Sequence, residues 1–375
     1  MAGKATLIIA ASEQDANLYY ATRFWAPDPF IFLQIGTRTL LVMSDLELDR
    51  AKAQAKVDEV LSMSKLQAQA KRQGTAQPGA MEVVDLILKE NQVKTVRVPS
   101  VFPVALADRL RAKGYTLEIG QEPFFPQRMV KSPEEVAAIR ETIRLTEEAL
   151  KTAITLIEQS EIRGEDLWLR GQPLTSELIR KVMHVTLMGS DCLAQETIIA
   201  GGRQACDPHC IGSGPLKANW PIVLDVFPVS LKSRYFADIS RTVLKGKVSP
   251  KVKKMYAAVR EGQEIAFRML KAGVDGMAVH KAILKYFEQE GFSTGEMNGR
   301  IQGFFHGTGH GLGLEIHEAP RVSTASDILQ AGTVVTVEPG LYYLDAGGIR
   351  IEDDVLITDT GCEQLTAFPK VLELN

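Results

Sequence analysis

The sequence predicts an α/β domain followed by a larger α+β domain, and three observations carry that reading. Over residues 1–125, apolar runs of strand length alternate with amphipathic stretches of helical period. A proline-bearing segment, Glu122-Pro-Phe-Phe-Pro126, interrupts the alternation and leads into Lys131-Ser132-Pro133, a helix start with serine at the cap and proline in the first turn. Residues 131–375 then set several hairpin-like strands between long helices and end in strand and turn. A chain of 375 residues, 45% of them hydrophobic, exceeds one typical core and can fill two.

In the first domain, residues 7–10 read as a short apolar strand, and Ser12 is placed to cap the helix after it. Residues 30–35 and 39–43 read as a hairpin turning at Gly36. Helices are expected over 47–70, 80–91 and 103–113, and strands at 95–98 and 116–119. This domain holds no histidine and no cluster of catalytic residue types, so it is expected to shape a site or an interface.

In the second domain the helix capped by Ser132 is expected to run to about residue 160, with another over 175–188. A strand follows at 196–201, then two arms of a hairpin at 221–228 and 235–243. Amphipathic helices are expected at 250–272 and 276–290, and strands at 333–338, 348–358 and 364–368.

A net charge of -3 gives no electrostatic reason to expect nucleic acid or an anionic membrane. Four cysteines, at 192, 206, 210 and 362, are too few and too irregular for a disulfide scaffold. Cys206 and Cys210 flank His209, but without a second pair they are a weak zinc signal. The apolar run near the amino terminus is too short for a signal peptide or a span, so a soluble, cytoplasmic protein is expected.

The chemistry gathers around His306-Gly-Thr-Gly-His310-Gly-Leu-Gly-Leu-Glu-Ile-His317-Glu318, which holds three of the six histidines. The alternate glycines exclude a helix, at about 1 kcal/mol each against alanine. They fit instead an extended strand that other backbone or a ligand approaches closely. Four carboxylates, Asp225, Asp238, Glu338 and Glu352, lie inside apolar strand-like runs. A buried, unpaired carboxylate costs several kcal/mol, so these need protons, partners or metal. Four of them with His310 between suggest one common metal site.

Four carboxylates and a neutral imidazole carry about four negative charges, which two divalent cations would balance. Oxygen-rich ligation with one nitrogen fits manganese, cobalt, iron or zinc alike, and two divalent ions, manganese first, are the cofactors expected. Alternation along the last long strand puts Arg350, Glu352 and Asp354 on one face, where Arg350 is expected to orient Glu352. The plainer alternative for Arg350 is a surface salt bridge.

In the contexts Leu-Asp225-Val, Ala-Asp238-Ile-Ser-Arg-Thr, Gly-His310-Gly-Leu-Gly-Leu-Glu, Val-Glu338-Pro-Gly and Arg-Ile-Glu352-Asp-Asp, the order resembles the pita-bread metallopeptidases. These include aminopeptidase P, prolidase, methionine aminopeptidase and creatinase. The resemblance implies a creatinase-like amino-terminal domain over 1–125 and a pita-bread catalytic domain over 131–375. It also implies a binuclear site, with Asp225 on one metal, His310 and Glu338 on the other, and Asp238 and Glu352 bridging. A hydroxide held by the metals would attack the scissile carbonyl, with Glu338 as general base. His209 and His317 match the family's substrate-side histidines and would stabilise the tetrahedral intermediate. His306 lines the same pocket or makes a structural hydrogen bond. His184 and His280 read as ordinary residues of their helices.

Asp225 and Asp238 are thirteen residues apart, against a usual family spacing of eleven. Two extra residues preserve strand parity, so a turn around 230–233 can absorb them. The usual glycine after the first aspartate is replaced by Val226-Phe227-Pro228. The complete ligand set speaks against a creatinase, and the amino-terminal domain against a methionine aminopeptidase. An Xaa-Pro dipeptidase or aminopeptidase is therefore expected, acting on a peptide with proline at the second position and forming a homodimer. Arg321 matches the prolidase residue that holds the product carboxylate, as an arginine fork suits, or else it caps a surface turn. The rival readings are a metal-dependent hydrolase of a non-proline amide and a catalytically silent binding protein on the same fold.

Overall fold

The computed structural model describes residues 3–374. The chain divides into two compact units, one ending at Arg128 and one beginning at Met129.

The first unit is α/β, built on a six-stranded sheet in the order Glu59–Ser62, Arg38–Met43, Phe30–Ile35, Gly3–Ala10, Val93–Val98, Thr116–Ile119. Side-chain alternation divides its core into two layers. Leu7, Ile31, Leu33, Leu40 and Val42 pack on the helix Ala80–Glu90, whereas Ile8, Phe30, Phe32 and Leu41 pack on Leu18, Phe24 and Phe124. Strands covered on both faces explain why they read as continuous apolar runs.

Two expectations shift here. The first helix is Ala16–Thr22, capped by Asp15, whose carboxylate accepts the Leu18 N–H at 2.7 Å. Ser12 instead accepts the Ala26 N–H at 2.8 Å. The single helix expected over 47–70 is two helices, Leu48–Gln54 and Met63–Arg72, with the strand Glu59–Ser62 between them. Asp58 takes both the N–H and the hydroxyl of Thr39, seating that strand beside Arg38–Met43. Ser62 then caps the second helix.

The second unit is α+β. Its long helix Pro133–Glu158 starts with a capping box, Ser132 and Glu135 each accepting the other's main-chain N–H. A four-stranded sheet runs in the order Ile198–Gly201, Ile222–Val226, Ile239–Lys245, Glu373–Leu374. A five-stranded sheet runs Glu318–Val322, Gly309–Gly311, Val334–Val337, Asp353–Ile357, Cys362–Gln364. The helices Pro250–Met269 and Gly276–Gln289 bury Met255, Val259, Ile283 and Phe287 against Val335, Val337 and Ile349. Three short strands at Glu161–Arg163, Asp166–Leu169 and Gln172–Pro173 were not expected from the sequence.

The strand expected over 348–358 is broken. Gly347–Arg350 pairs with Gly340–Tyr343, Asp353–Ile357 joins the larger sheet, and Ile351 and Glu352 lie between the two pairings. The strand expected over 364–368 ends at Gln364, because the Phe368 and Pro369 carbonyls turn to accept Arg241. The glycine-rich stretch is extended, as its composition requires. A Cβ on Gly309 would lie 1.9 Å from the Thr336 carbonyl oxygen, so only glycine lets these neighbours meet. Among the described residues no helix is long and apolar enough to cross a membrane.

Candidate metal centre

Each carboxylate enters the site from a different strand or strand end. Asp225 stands in Ile222–Val226 opposite Ser240, and Asp238 precedes Ile239–Lys245 by one residue. The turn after Val229–Ser230 absorbs the longer spacing, and both acids stay on the side that Ser240 marks. Glu338 follows Val334–Val337, its N–H bound to the Thr308 carbonyl at 2.7 Å. Glu352 sits in the strand break, its N–H on the Ser240 carbonyl at 3.0 Å and its Oε2 accepting the Ser240 hydroxyl at 2.9 Å. His310 is the middle residue of Gly309–Gly311.

Ligand atoms of Asp238, His310 and Glu352 all lie within 4.8 Å of one another, and all three residues are buried. His310 Nε2 is 3.7 Å from Asp238 Oδ2 and 3.6 Å from Glu338 Oε1. Its Nδ1 lies 3.1 Å from the Gly311 carbonyl, which fixes that nitrogen as the donor and leaves the Nε2 lone pair facing the acids. Burial, with His317 adding, holds the imidazole neutral at about 3. Burial first, then crowding by like charges, pushes Asp238 and Glu352 well above the usual carboxylate range. Burial and Asp225 push Glu338 up to about 8, against the pull of Arg350.

These residues fit divalent metal. Asp225 Oδ1, Asp238 Oδ1 and Glu352 Oε1 are buried without a hydrogen-bond partner, and the charges of Asp225 and Glu352 both act on Asp238. Hard oxygen donors with a single neutral imidazole suit a divalent first-row ion. Cys206 and Cys210 take no part, and burial pushes the Cys206 thiol up to about 11.

Arg350 is buried, and it reaches Asp225 directly, Nη2 to Oδ2 at 2.6 Å. It does not contact Glu352 as expected. Because the strand breaks after Arg350, the hydrogen-bonded link to Glu352 runs through the Ser240 hydroxyl, which accepts Arg350 Nε at 2.9 Å and donates to Glu352. Its remaining donors go to the Tyr342 hydroxyl and the Pro208 carbonyl. Arg350→Met therefore strands a buried carboxylate. Urea melts in chelator are expected to show a loss of about 3–5 kcal/mol, and a smaller loss with divalent metal supplying the counter-charge.

The remaining sequence-predicted residues line the approach. His317 is exposed, its ring edge-on to His310 with centroids 4.4 Å apart. His209 is exposed and lies within electrostatic range of both His306 and His317. Arg321 is exposed and pairs opposite His310 in the strand register. His306 has both ring nitrogens engaged, Nδ1 with the Gly307 carbonyl and Nε2 with the Tyr342 hydroxyl, each at 2.8 Å. That is the structural hydrogen bond named above as its alternative role. His184 and His280 bond Thr197 and Thr308 outside the acid cluster.

Ser240 and Tyr342 went unread in the sequence, and Asp354 was placed only on the face of Arg350 and Glu352, without a role. Ser240 links Arg350 to Glu352, and its position two residues after Asp238 was a usable signal. Asp354 accepts the Asp238 N–H at 3.0 Å and is itself a buried acid. Tyr342 joins His306 to Arg350, with no local pattern to mark it.

Comparison with known proteins agrees with this geometry. The model of metallopeptidase family M24 matches residues 137–359. The Xaa-Pro dipeptidase of Pyrococcus horikoshii is 30% identical over 285 residues, 75% of each chain. An uncharacterised peptidase of Bacillus subtilis is 32% identical over 248 residues, 65% of this chain, which spans 64% of that relative's length. An X-Pro aminopeptidase of Thermotoga maritima superposes with a TM-score of 0.82 over 99% of this chain and 97% of its own, at 26% identity. The prolidase of P. horikoshii does so with a TM-score of 0.78 over 98% and 95%, at 25% identity. The fold is thus the two-domain, creatinase-type pita-bread fold, and the chain belongs to metallopeptidase family M24.

Proposed function

We propose that this chain is a binuclear-metal peptidase that hydrolyses Xaa-Pro bonds. The observation that carries the reading is the meeting of Asp238, His310 and Glu352 ligand atoms within 4.8 Å, beside buried carboxylate oxygens that nothing else satisfies. Five carboxyl groups crowd the site, Asp225, Asp238, Glu338, Glu352 and Asp354, and the Arg350 guanidinium acts on Asp225, Glu338 and Glu352 among them. Fully ionised they leave an excess of about four negative charges, which two divalent ions match.

In this reading Asp225 would help hold one ion, His310 and Glu338 the other, and Asp238 and Glu352 would contribute oxygens to both. Manganese suits the donor set, with cobalt, zinc or iron able to replace it. When bound, such ions acidify water and polarise the scissile carbonyl. Glu338 would take the proton of the attacking water and return it to the amine nitrogen of the leaving proline. His209 and His317 stand at the mouth, where a neutral ring can donate to the developing oxyanion. Arg321, across the register from His310, offers a fork to the free carboxylate of a dipeptide.

A matched pair of substrates tests this, an Xaa-Pro dipeptide and an Xaa-Pro-Yaa tripeptide, each with added Mn and with chelator. Chelator-sensitive cleavage is expected, with the dipeptide favoured if Arg321 holds the product carboxylate. Cleavage favouring the tripeptide assigns an aminopeptidase instead. Failure to cleave either while metal is bound would point to another amide, and failure to bind metal to a silent binding protein.

A further inference from the structure

The loop that ends at His317 is folded over a buried ion pair outside the acid cluster. Lys131 Nζ lies 3.0 Å from Glu318 Oε2, with the two side chains 1% and 6% exposed. The other oxygen, Oε1, accepts the main-chain N–H groups of Leu314 at 2.8 Å and Glu315 at 3.1 Å. Gly313 presses so close that a Cβ there would meet both carboxylate oxygens at 2.8 Å. Its carbonyl accepts the Phe236 N–H at 2.9 Å. Residues 312–317 have no regular strand pairing of their own, so this carboxylate is the local template for their path. Lys131 is anchored in turn, its N–H on the Gly332 carbonyl at 2.8 Å.

Burying a carboxylate is favourable only with a counter-charge and satisfied lone pairs, and Glu318 has both. Packing alone does not call for such a device, since Leu312 and Leu314 already bury their side chains. What it fixes is where the chain stands when it reaches His317, whose ring abuts His310.

We propose that Glu318, neutralised by Lys131, is a positioning residue for His317, acting through the Leu314 and Glu315 amides and touching no substrate. This rests on the reading of His317 as a transition-state group, so the test has one arm that does not depend on activity. In that arm, amide hydrogen exchange is followed at Leu314 and Glu315 in metal-free protein. Glu318→Ala is expected to lower protection there at least tenfold, while exchange in the helix Pro250–Met269 stays unchanged. In the kinetic arm, Glu318→Ala is expected to cut kcat about 10–100-fold with KM within about twofold. Adding His317→Ala is expected to cost little more than His317→Ala alone, because both act through one group.

Should Glu318→Ala fold poorly, the pair Lys131→Met with Glu318→Gln keeps the acceptor oxygen and removes both charges together. It is expected to restore loop protection and at least tenfold of the lost kcat. Unchanged protection in Glu318→Ala, or losses that multiply with His317→Ala, would overturn the proposal. Absence of Xaa-Pro hydrolysis in the unaltered chain would overturn the functional reading, leaving the exchange arm to decide the clamp.

Discussion

Glu352→Ala is expected to lower turnover of an Xaa-Pro substrate by more than about 10³-fold, an added barrier of at least ~4 kcal/mol. The fold should survive it. Glu352 lies in a strand break and is held by Ser240 on both sides, main-chain N–H to the Ser240 carbonyl and carboxylate to its hydroxyl. Removing its carboxyl group deletes a metal-facing oxygen and relieves repulsion on Asp238, for which Glu352 is the foremost charged neighbour. In chelator, the variant is therefore expected to melt at or above the temperature of the unaltered chain while losing its activity. Asp238→Ala should behave alike. Near-normal turnover in either variant would sink the two-ion assignment.

The second large effect is on stability against pH. Burial raises the Glu338 pKa from 4.5 to about 8, and burial with like-charge crowding raises Asp238 and Glu352 well above their ordinary values. In the unfolded chain these groups ionise near the usual carboxylate range. A carboxyl whose folded pKa is the higher one favours the fold while protonated. Its contribution is therefore complete below about pH 4.5 and is lost as pH rises through about 8. Bound cations reverse the sign by rewarding the ionised form. Melting temperatures with chelator and with Mn are thus expected to diverge as pH climbs from 5 to about 8, the chelated protein falling behind. A gap that stays constant or closes over that range would contradict the crowding of acids described here.

The acids themselves were legible because each breaks an apolar run: Leu-Asp225-Val and Thr-Val-Glu338 are improbable as core without a partner for the charge. The helix Pro133–Glu158 was legible from its cap, a local signal that Ser132 and Glu135 carry unaided. What escaped was set by residues far away in sequence. The strand Glu59–Ser62 exists because Arg38–Met43 offers it an edge and Thr39 bonds Asp58, neither of which shows in the segment itself. The break at Ile351 and Glu352 comes from Ser240 and Arg241, more than a hundred residues earlier, whose carbonyl and guanidinium take the Glu352 N–H and carbonyl. Arg350 was placed on the right face by alternation, but its partner, Asp225, lies across a different sheet pairing. Tyr342 reads like its neighbour Tyr343 and acquires its place only when the ribbon Gly340–Tyr343 brings it to His306.

The most direct measurement of the central claim is metal content against activity: dialyse the chain free of metal, add Mn stepwise, and record bound ion per chain alongside Xaa-Pro hydrolysis. Activity is expected to reach its plateau only as the second equivalent binds, and to vanish again with chelator. Full activity with no bound metal, or a plateau at one ion with no second binding event, would contradict it.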